Sequence, residues 1–439
     1  MNNSDGQAGQ GNAALPVIHL SELLRAPVVT RSGDSVGRVE DVIVRLRGES
    51  HPLVTGIVAG VGGRQVFIGS AAIQEFAPGR VVLAKNKVDL RRFERREGEV
   101  LLRADVLGHR LIDVAAGELV HAYDVELVQT GEGWVVARLD TRRPARFFGL
   151  LKSSGGHAAR DWKLFEPLIG HNRSADVRRR SGRVGKLKPA QIADLLEDAD
   201  KAEGGEILDR VRSNPELEAD VFEELDPDKA SRLLNEMPDA EVAALLARMR
   251  PDDAADAIAD LRQSRRRRVL DLMPAPQRTK VITLMGFNPS SAGGLMNVDI
   301  VSCVLTATAG EALAVIAGAR ELQPEALLKM HVLDGEQRLA GVVSVIVLLQ
   351  ADQTEEVTQL MDSDPVRVSA EADLTDIALL MADYNLYTIP VVDEEDHVLG
   401  VVTVDDVLEE TIPEDWRRRE PAPRPVRESS TVSEGGESI

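Results

Sequence analysis

Two acidic segments contain the residues whose types and spacing can do chemistry. Positions 190–262 hold 21 acidic and 8 basic residues, a net charge of −13, and positions 352–415 hold 19 acidic residues and one basic residue, a net charge of −18. Segments of like charge repel when they lie within about one Debye length, ~8 Å in physiological salt. A divalent cation shared by carboxylates would remove this repulsion. Mg²⁺ is suited to such a site because it takes oxygen ligands and keeps several waters.

Helical spacing selects particular carboxylates within each segment. Asp252 and Asp256 are four positions apart, so they share one helical face, and this pairing costs stability without a counter-ion. Farther along, Asp406 shares a helical face with Glu409 or Glu410. The five candidate metal ligands are Asp252, Asp256, Asp406, Glu409 and Glu410, and it is the family resemblance given below that implies these two groups face each other. The alternative interpretation is an ordinary solvated acidic face.

The other reactive residue types do not form an enzyme-like set. The 8 histidines lack metal-ligand spacing, no Ser/His/Asp or Cys/His arrangement can be assembled, and no Gly-rich phosphate loop is present. We therefore expect no enzymatic activity. The single cysteine, Cys303, excludes an intramolecular disulfide and fits a reducing cytosol, and we expect it in an apolar core. The run Arg265–Arg268 is flanked by acids, which favours a solvated face or a clamp onto carboxylates over a nucleic-acid patch.

Composition limits the classes of protein to consider. The chain has 439 residues, enough for two to four domains, and 43% are hydrophobic. A net charge of −20 disfavours nucleic acid as a partner, because phosphate binding needs positive charge. The N-terminus lacks the pattern of a secretory signal. No apolar stretch approaches the roughly 18 residues that span a bilayer, so we expect no transmembrane segment.

The elements that would position the carboxylates begin after a polar tail, 1–15, which we expect to be disordered. Positions 16–141 contain short β-branched runs between turn residues, which favours a small barrel or sandwich. The segments 33–42 and 116–125 resemble each other, and their alignment equates Asp41 with Asp124. The sequence therefore predicts two copies of one β unit.

A basic linker, 142–186, is predicted next. Between positions 142 and 188 there are 13 basic and 3 acidic residues. The first interpretation is a linker whose apolar residues dock on neighbouring domains, with a hinge at Ser181–Gly182. The alternative is a docking segment for an acidic partner, a membrane surface or RNA.

Two repetitive regions and a second tail complete the chain. In positions 187–288 an apolar residue recurs every 12 residues, in most copies shortly before a proline. Each such place marks the end of one short helix and the start of the next, so the region is predicted to be a superhelix of short helices. The apolar residues of these boundaries are Leu225, Met237, Met249, Leu261 and Met273. Positions 289–416 alternate strands and helices in duplicate, so that segments 331–345 and 390–404 align without a gap. Positions 417–439 predict a disordered tail.

The predicted fold class is therefore multi-domain α+β. Its parts are a β-barrel, an α-superhelix and a tandem α/β pair. The acidic segments fall in the superhelix and in the second half of the pair.

These residues resemble known families. Residues 187–415 are similar to the cytosolic part of the MgtE magnesium channels, an N domain followed by a CBS pair. The similarity includes the junction 286–296 and the end of the second CBS motif, 400–409. Residues 17–140 resemble two PRC-barrel units. We expect the membrane pore of the MgtE family to be missing, so transport activity does not carry over.

The resemblance also implies a nucleotide site. In CBS motifs a Ser or Thr and an Asp at the third position after it hold a ribose, which here implies Thr403 and Asp406. The first motif departs from this pattern, since Ser344 is followed by Val347, so at most one nucleotide per chain is expected. The implied contacts to the base come from the backbone of Tyr387, Ile389 and Pro390. The alternative is that Thr403 and Asp406 only cap the last helix.

The sequence thus predicts a non-enzymatic regulatory protein that senses Mg²⁺ and an adenine nucleotide, ATP or AMP. The resemblance implies that the acidic helices face each other across the N domain and the CBS pair, and that the CBS pair forms a homodimer. A membrane transporter is an expected partner, and the expected location is the cytoplasm or the membrane periphery. The alternative function is a PRC-barrel/CBS scaffold that docks RNA, a ribosome or a membrane protein.

Overall fold

The computed structural model describes residues 17–47, 50–86, 92–96, 98–141, 159–168, 183–320, 322 and 324–412. The predicted tails, most of the predicted linker and the predicted hinge at Ser181–Gly182 lie outside these residues. The chain divides into two compact units, Met1–Pro238 and Asp239–Ile439. Each unit is described by itself below.

The first unit begins with a nearly closed β-barrel. Its strands are β1 (Val17–His19), β2 (Pro27–Val29), β3 (Ser35–Arg47), β4 (Ser50–Val61), β5 (Arg64–Gly69), β6 (Ile73–Ala77), β7 (Arg80–Leu83), β8 (Glu99–Leu101), β9 (Arg110–Asp113), β10 (Glu118–His121), β11 (Asp124–Thr130), β12 (Gly133–Asp140), β13 (Arg160–Asp161) and β14 (Phe165–Pro167). The main sheet has the order β1-β11-β12-β4-β3-β2-β7-β6, and β5, β8 and β13 pair at its sides. The remaining sheet is β10-β9-β14. Apolar side chains of the strands, together with Trp162 and Phe165, form one buried core.

The barrel has two halves, one that begins with β1 and one that begins with β8. The first strand of each half pairs with a strand of the other half. Strand β1 and the short helix α1 (Leu20–Leu23) pair with β11 of the second half, whereas β8 and the turn of π-helix after it pair with β3 of the first half. Asp41 and Asp124, which correspond in the sequence repeat, each bind one of these exchanged segments. Asp124 accepts hydrogen bonds from the backbone and hydroxyl of Ser21, and Asp41 accepts from the backbone N–H groups of Arg103 and Ala104 at 2.8 and 3.0 Å.

Four helices complete the first unit: α2 (Pro189–Asp198), α3 (Lys201–Val211), α4 (Pro215–Glu223) and α5 (Pro227–Glu236). Three of them open on a proline, which suits a first turn whose N–H has no partner within the helix. Ion pairs join α3 to the strands. Arg210 contacts Glu166 at 2.7 Å with both side chains buried, and Arg110 pairs with Glu203.

The second unit begins with four more short helices: α6 (Asp239–Leu246), α7 (Pro251–Asp260), α8 (Gln263–Leu272) and α9 (Ala275–Leu284). Their first residues are evenly spaced, with the same period that the sequence predicts. The residues that follow α7 and α8, Leu261 and Met273, are buried and extended, so each repeat ends by placing an apolar side chain in the core. This repeat places the acidic first turn of α7.

The remainder of the second unit is a duplicated α/β motif, introduced by α10 (Ala292–Leu295). The first copy contains β15 (Ser302–Val304), α11 (Ala309–Gly318), β16 (Lys329–Leu333), β17 (Leu339–Ser344) and α12 (Val345–Gln350). After α13 (Val357–Leu360), the second copy contains β18 (Val368–Ser369), α14 (Leu374–Tyr384), β19 (Thr388–Val392), β20 (Val398–Thr403) and α15 (Val404–Thr411). Strands β16 and β17 and helix α12 precede β19, β20 and α15 by one constant offset, the offset of the sequence repeat. Each copy forms a three-stranded sheet with one parallel and one antiparallel pairing.

Candidate metal and nucleotide site

Helix α7 (Pro251–Asp260) places Asp252 in its first turn, behind the proline that opens the helix. One carboxylate oxygen of Asp252, Oδ1, is buried and has no hydrogen-bond partner within the described part of the chain. Burial raises the pKa of Asp252 to about 7; Arg250 opposes this shift and Asp406 adds to it. A buried acceptor without a donor is costly, so this oxygen is suited to a cation.

Asp256 lies one turn later on the same helical face. Burial of its carboxyl raises its pKa to about 6, and the charges of Glu410 and Asp260 add to the effect. The residue as a whole is exposed, so Asp252 is the stronger indication of a cation site. Ion pairs from Arg250, directly before α7, to Asp406 and Glu409 place the start of α7 beside α15 (Val404–Thr411).

At the start of α15, Thr403 and Asp406 are both buried, with exposed fractions of 3% and 8%. The Thr403 hydroxyl donates to Asp406 Oδ2 at 2.7 Å and also lies within hydrogen-bond distance of Asp405. Thr403 makes no side-chain cap on the helix, so the alternative of simple capping does not describe this hydroxyl. Burial raises the pKa of Asp406, whereas the bond from Thr403 and the charge of Arg250 lower it.

Arg250 joins the two helices, and sequence reasoning missed this residue. Its Nη1 lies 2.7 Å from Asp406 Oδ1, its Nε lies 2.6 Å from Asp253 Oδ2, and its Nη2 lies 3.7 Å from Glu409 Oε2. The guanidinium therefore bridges the acidic first turn of α7 to α15. One signal was present in the sequence. An arginine occupies the N-cap position, where Ser, Thr, Asp or Asn is usual, and it makes no side-chain cap.

The five predicted metal ligands thus lie on two facing helices but in different surroundings. Asp406 and Glu409 contact Arg250, and Glu410 faces Asp256. The pKa values of Asp252, Asp256 and Asp406 are all raised by burial. The assignment of all five as ligands remains a prediction. Asp252, Asp253, Asp256, Asp406, Glu409 and Glu410 give six carboxylates against one guanidinium, a formal charge of −5. The donor set is hard oxygen, which fits Mg²⁺.

The residues predicted to contact a nucleotide base lie beside Thr403. Thr388 is opposite Thr403 in the pairing of β19 with β20, so the two side chains share a face of the sheet. The Thr388 hydroxyl is buried and lacks a hydrogen-bond partner among the residues that the structure describes. Ile389 and Pro390 are buried within β19, whereas the side chain of Tyr387 is exposed.

Lys329 brings a cation to this face from the first α/β motif. Its Nζ donates to the carbonyl of Thr388 at 3.3 Å, and burial lowers its pKa. In that first motif, Ser344 accepts from the backbone of Ile346 as a helix cap. Position 347 carries valine where the second motif has Asp406, so the hydroxyl-carboxylate pair occurs in the second motif and not in the first.

Three further groups have local structural explanations. Arg265 and Arg268 both pair with Asp239, so this part of the arginine run clamps one carboxylate of the same repeat. His331 is buried, and its Nδ1 bonds the carbonyl of Val301 at 3.1 Å. Cys303 lies in β15 at the edge of the core and is partly buried rather than fully enclosed.

A last cluster, Asp393, Glu395 and His397, occupies the turn between β19 and β20. The Asp393 carboxylate accepts from the backbone of Glu395 and of His397. It also contacts the imidazole of His397 at 3.0 Å. These hydrogen bonds stabilise the turn, and they give the Asp393 carboxylate a structural role there.

Comparison with protein families finds three matches along the chain. The PRC-barrel domain matches residues 16–87, the MgtE intracellular N domain matches 187–290, and the CBS domain matches 357–412. These matches confirm the predicted fold class and the resemblance to the cytosolic region of MgtE. Within the described residues, no helix is long and apolar enough to cross a membrane.

Two curated relatives are magnesium transporters MgtE. The one from Thermus thermophilus is 34% identical over 245 residues, which cover 50% of this chain and 54% of the relative. The one from Enterococcus faecalis is 30% identical over 126 residues, which cover 29% of this chain and 28% of the relative. The chain therefore spans about half the length of the first relative and less of the second.

Two solved structures are similar over 54% of the chain. One is the cytosolic domain of the Mg²⁺ channel MgtE in complex with ATP, with 28% identity, 95% of that chain covered and a TM-score of 0.50. The other is the soluble part of a magnesium transporter, with 25% identity, 91% of that chain covered and a TM-score of 0.49. The family matches along the chain are thus to a PRC-barrel domain, an MgtE intracellular N domain and a CBS domain.

Proposed function

We propose that this chain is a regulatory protein that senses Mg²⁺ and an adenine nucleotide and acts through a partner in magnesium homeostasis or transport. The observation that carries the proposal is the buried Oδ1 of Asp252. It has no hydrogen-bond partner within the described residues, and its carboxyl lies near Asp406 of α15, whose charge adds to the rise in its pKa. This atom needs a proton or a cation, and Mg²⁺ is the cation that the donor set favours.

Asp252, Asp256 and Glu410 would hold the ion, with waters completing its coordination. Asp406 and Glu409 would lie beside it, since Arg250 already contacts them. Bound Mg²⁺ would remove the repulsion between α7 and α15 and so hold the repeat against the second α/β motif. An ion shifts such an equilibrium only by binding one form more tightly than the other, and the closed form brings more carboxylates together.

The nucleotide would lie at the second α/β motif. Thr403 and Asp406 have the hydroxyl and carboxylate that can hold a ribose diol, and the buried hydroxyl of Thr388 supplies a further polar group on the same face. The relative solved with ATP supports an adenine nucleotide as the ligand. The first motif lacks the carboxylate, so we expect one nucleotide per chain.

The proposed partners are a second copy of the chain and a membrane transporter. Helices of both α/β motifs expose large apolar side chains that a homodimer interface would cover. These are Ile346, Leu349, Leu379 and Leu408. The relatives named as magnesium transporters support a transporter as the protein that responds. The proposed location is the cytoplasm, at or near the membrane surface.

Hydrogen exchange measured by mass spectrometry tests the magnesium half of the proposal. Peptides covering 251–260 and 404–411 are followed in EDTA and in Mg²⁺ at about 10 mM, an ample concentration for a carboxylate site that keeps waters. We expect Mg²⁺ to slow exchange in both peptides of the wild type and in neither peptide of Asp252→Asn.

The control is Asp271→Asn, which removes an exposed carboxylate from the same repeat and should respond like the wild type. Equal exchange with and without Mg²⁺ in the wild type would refute the proposal. The scaffold alternative rests on docking by the barrel together with the basic stretch 142–188, most of which lies outside the described residues. No observation on the described part favours that alternative.

A further inference from the structure

We infer that the turn between β19 and β20 binds a divalent transition-metal ion, for which zinc serves as the probe. Asp393, Glu395 and His397 of this turn each offer one ligand atom, and these atoms lie within 4.8 Å of one another. Zinc takes carboxylate oxygen and imidazole nitrogen as ligands. None of the three residues belongs to the proposed Mg²⁺ or nucleotide site, so the inference goes beyond the proposed function.

A matching turn in the first α/β motif shows what this arrangement attracts. The sequence repeat equates 334–338 with 393–397, and the two turns have the same backbone, since Gln337 and Asp396 have φ angles of 66° and 65°. In both turns the first residue is an aspartate that accepts hydrogen bonds from the backbone N–H groups two and four positions later. The side chains of the first, third and fifth residues therefore occupy corresponding places in the two turns.

The first turn contains its own cation, Arg338. Its Nε lies 3.0 Å from Asp334 Oδ2, and its Nη2 lies 2.9 Å from Glu336 Oε2. One guanidinium is thus shared by both carboxylates of the turn. The position of Arg338 marks where a cation lies between two such carboxylates, and it is independent of the residues of the second turn.

The second turn keeps both carboxylates but has a histidine in place of the arginine. His397 Nδ1 takes the place of the arginine Nε, at 3.0 Å from Asp393 Oδ2. No group of the described residues takes the place of Nη2, because Glu395 forms no ion pair with them. Two ligands of a tetrahedral zinc ion lie about 3.3 Å apart, so a small movement would let the imidazole and both carboxylates share one ion.

The charge and the donor types favour a transition metal over magnesium. Four acidic residues occupy positions 393–396, and Arg367 pairs with the last of them, which leaves a formal charge of −3. Arg338 lies beside this turn, through the bridge that pairs it with His397, but its guanidinium is bound within its own turn. An imidazole nitrogen suits zinc and similar ions, whereas Mg²⁺ prefers oxygen ligands. A search for pairs of histidines misses this set, because the other two members are carboxylates.

Isothermal titration calorimetry of the full chain with ZnCl₂ tests the inference. Mg²⁺ at about 10 mM is present throughout, because it occupies carboxylate sites that prefer a hard ion, and a pH of about 7.5 keeps the imidazole neutral. We expect His397→Arg, which gives the second turn the arginine of the first, to bind one Zn²⁺ per chain fewer than the wild type. The control is His109→Arg, which removes an exposed histidine of the barrel and should bind like the wild type.

The reciprocal variant is Arg338→His, which gives the first turn the histidine of the second. We expect it to bind one Zn²⁺ per chain more than the wild type. Fewer ions bound by His397→Arg, with His109→Arg unchanged, support the inference. Equal binding by the wild type and His397→Arg, or no binding by either, overturns it and leaves the Mg²⁺ and nucleotide proposals intact. If His397→Arg does not fold, the gain in Arg338→His, or its absence, decides in the same way.

A second measurement uses the wild type alone. Hydrogen exchange is followed with and without ZnCl₂, in the same Mg²⁺ buffer, in peptides that cover the two turns. We expect Zn²⁺ to slow exchange in 393–397 more than in 334–338, because Arg338 already holds the carboxylates of the first turn. Equal exchange in 393–397 with and without Zn²⁺ would place any bound ion elsewhere and overturn the inference.

Discussion

Replacing Asp252 by asparagine should stabilise the second unit at alkaline pH when no metal is present. Asparagine has the shape of a protonated aspartate but carries no charge to bury. In the wild type, the folded pKa of Asp252 is about 7, whereas the ordinary value is 3.8. The folded state therefore binds the proton more tightly than the unfolded state. The stability that this proton contributes is lost as pH rises from about 4 to 7.

The magnitude follows from the pKa shift. At about 1.4 kcal/mol for each pKa unit, a shift of this size sets an upper limit of about 4 kcal/mol. The negative charge of Asp252 in the first turn of α7 contributes about 0.3–1 kcal/mol in the opposite direction, through the helix dipole. We expect Asp252→Asn to be more stable than the wild type by about 2–3 kcal/mol at pH 8. The two should be equal near pH 4.

The assay is native-state hydrogen exchange of the amides in 251–260, in EDTA, at several pH values. It gives the free energy of opening for this helix after correction for intrinsic exchange. Mg²⁺ should remove the difference by stabilising the wild type alone. A difference that does not change between pH 5 and 8, or an asparagine variant less stable than the wild type at pH 8, would refute the burial argument.

Two further predictions concern other parts of the chain. Thr403→Val should weaken AMP binding about tenfold in calorimetry, because a hydrogen bond is lost beside a charged group. Ser344→Ala, at the matching position of the first α/β motif, should leave AMP binding unchanged. Equal effects of the two substitutions would contradict the proposal of one nucleotide site per chain. Asp41→Ala should destabilise the barrel by about 3 kcal/mol, since the backbone N–H groups of Arg103 and Ala104 lose a buried acceptor. Asp124→Ala should cost less because water reaches that side chain. Thermal unfolding followed by tryptophan fluorescence, to which Trp134 and Trp162 of the barrel contribute, compares the two variants.

The sequence predicts the periodic parts of the fold well. The evenly spaced boundaries of the superhelix and the constant offset of the α/β pair reappear as the first residues of helices and strands. They are predictable because each boundary depends on local chemistry, a proline or an apolar residue at a fixed place in a short element. The short β-branched runs between turn residues predict strands of the barrel for the same reason.

The exchange of opening segments in the barrel was not predictable in this way. The strands that β1 and β8 join lie in the other half of the barrel, far away along the chain, and strand patterns carry no information about distant partners. The sequence did contain a trace of the exchange. Asp41 and Asp124 repeat because each joins its own half to the opening segment of the other half.

Arg250 shows a different limit of sequence reasoning. In the net charge of positions 190–262, one arginine changes the total little because the segment has 21 acidic residues. The electrostatic energy of a site, however, depends on the distances between its charges. At 2.7 Å from Asp406, this one cation affects the site more than any distant charge does. Residue types in the sequence give the sign of a segment's net charge, but they do not show where the opposite charges lie in the fold.

The presence of Arg250 also changes how a cation must act. Arginine is charged at every physiological pH, so the bridge between α7 and α15 does not depend on metal. The cluster keeps a formal charge of −5 after Arg250 is counted, and one Mg²⁺ would reduce it to −3. Magnesium would therefore tighten helices that already touch, mainly around Asp252 and Asp256. The effect of the ion should be graded and local to these helices, and in chelator the two helices should remain joined until Arg250 is removed.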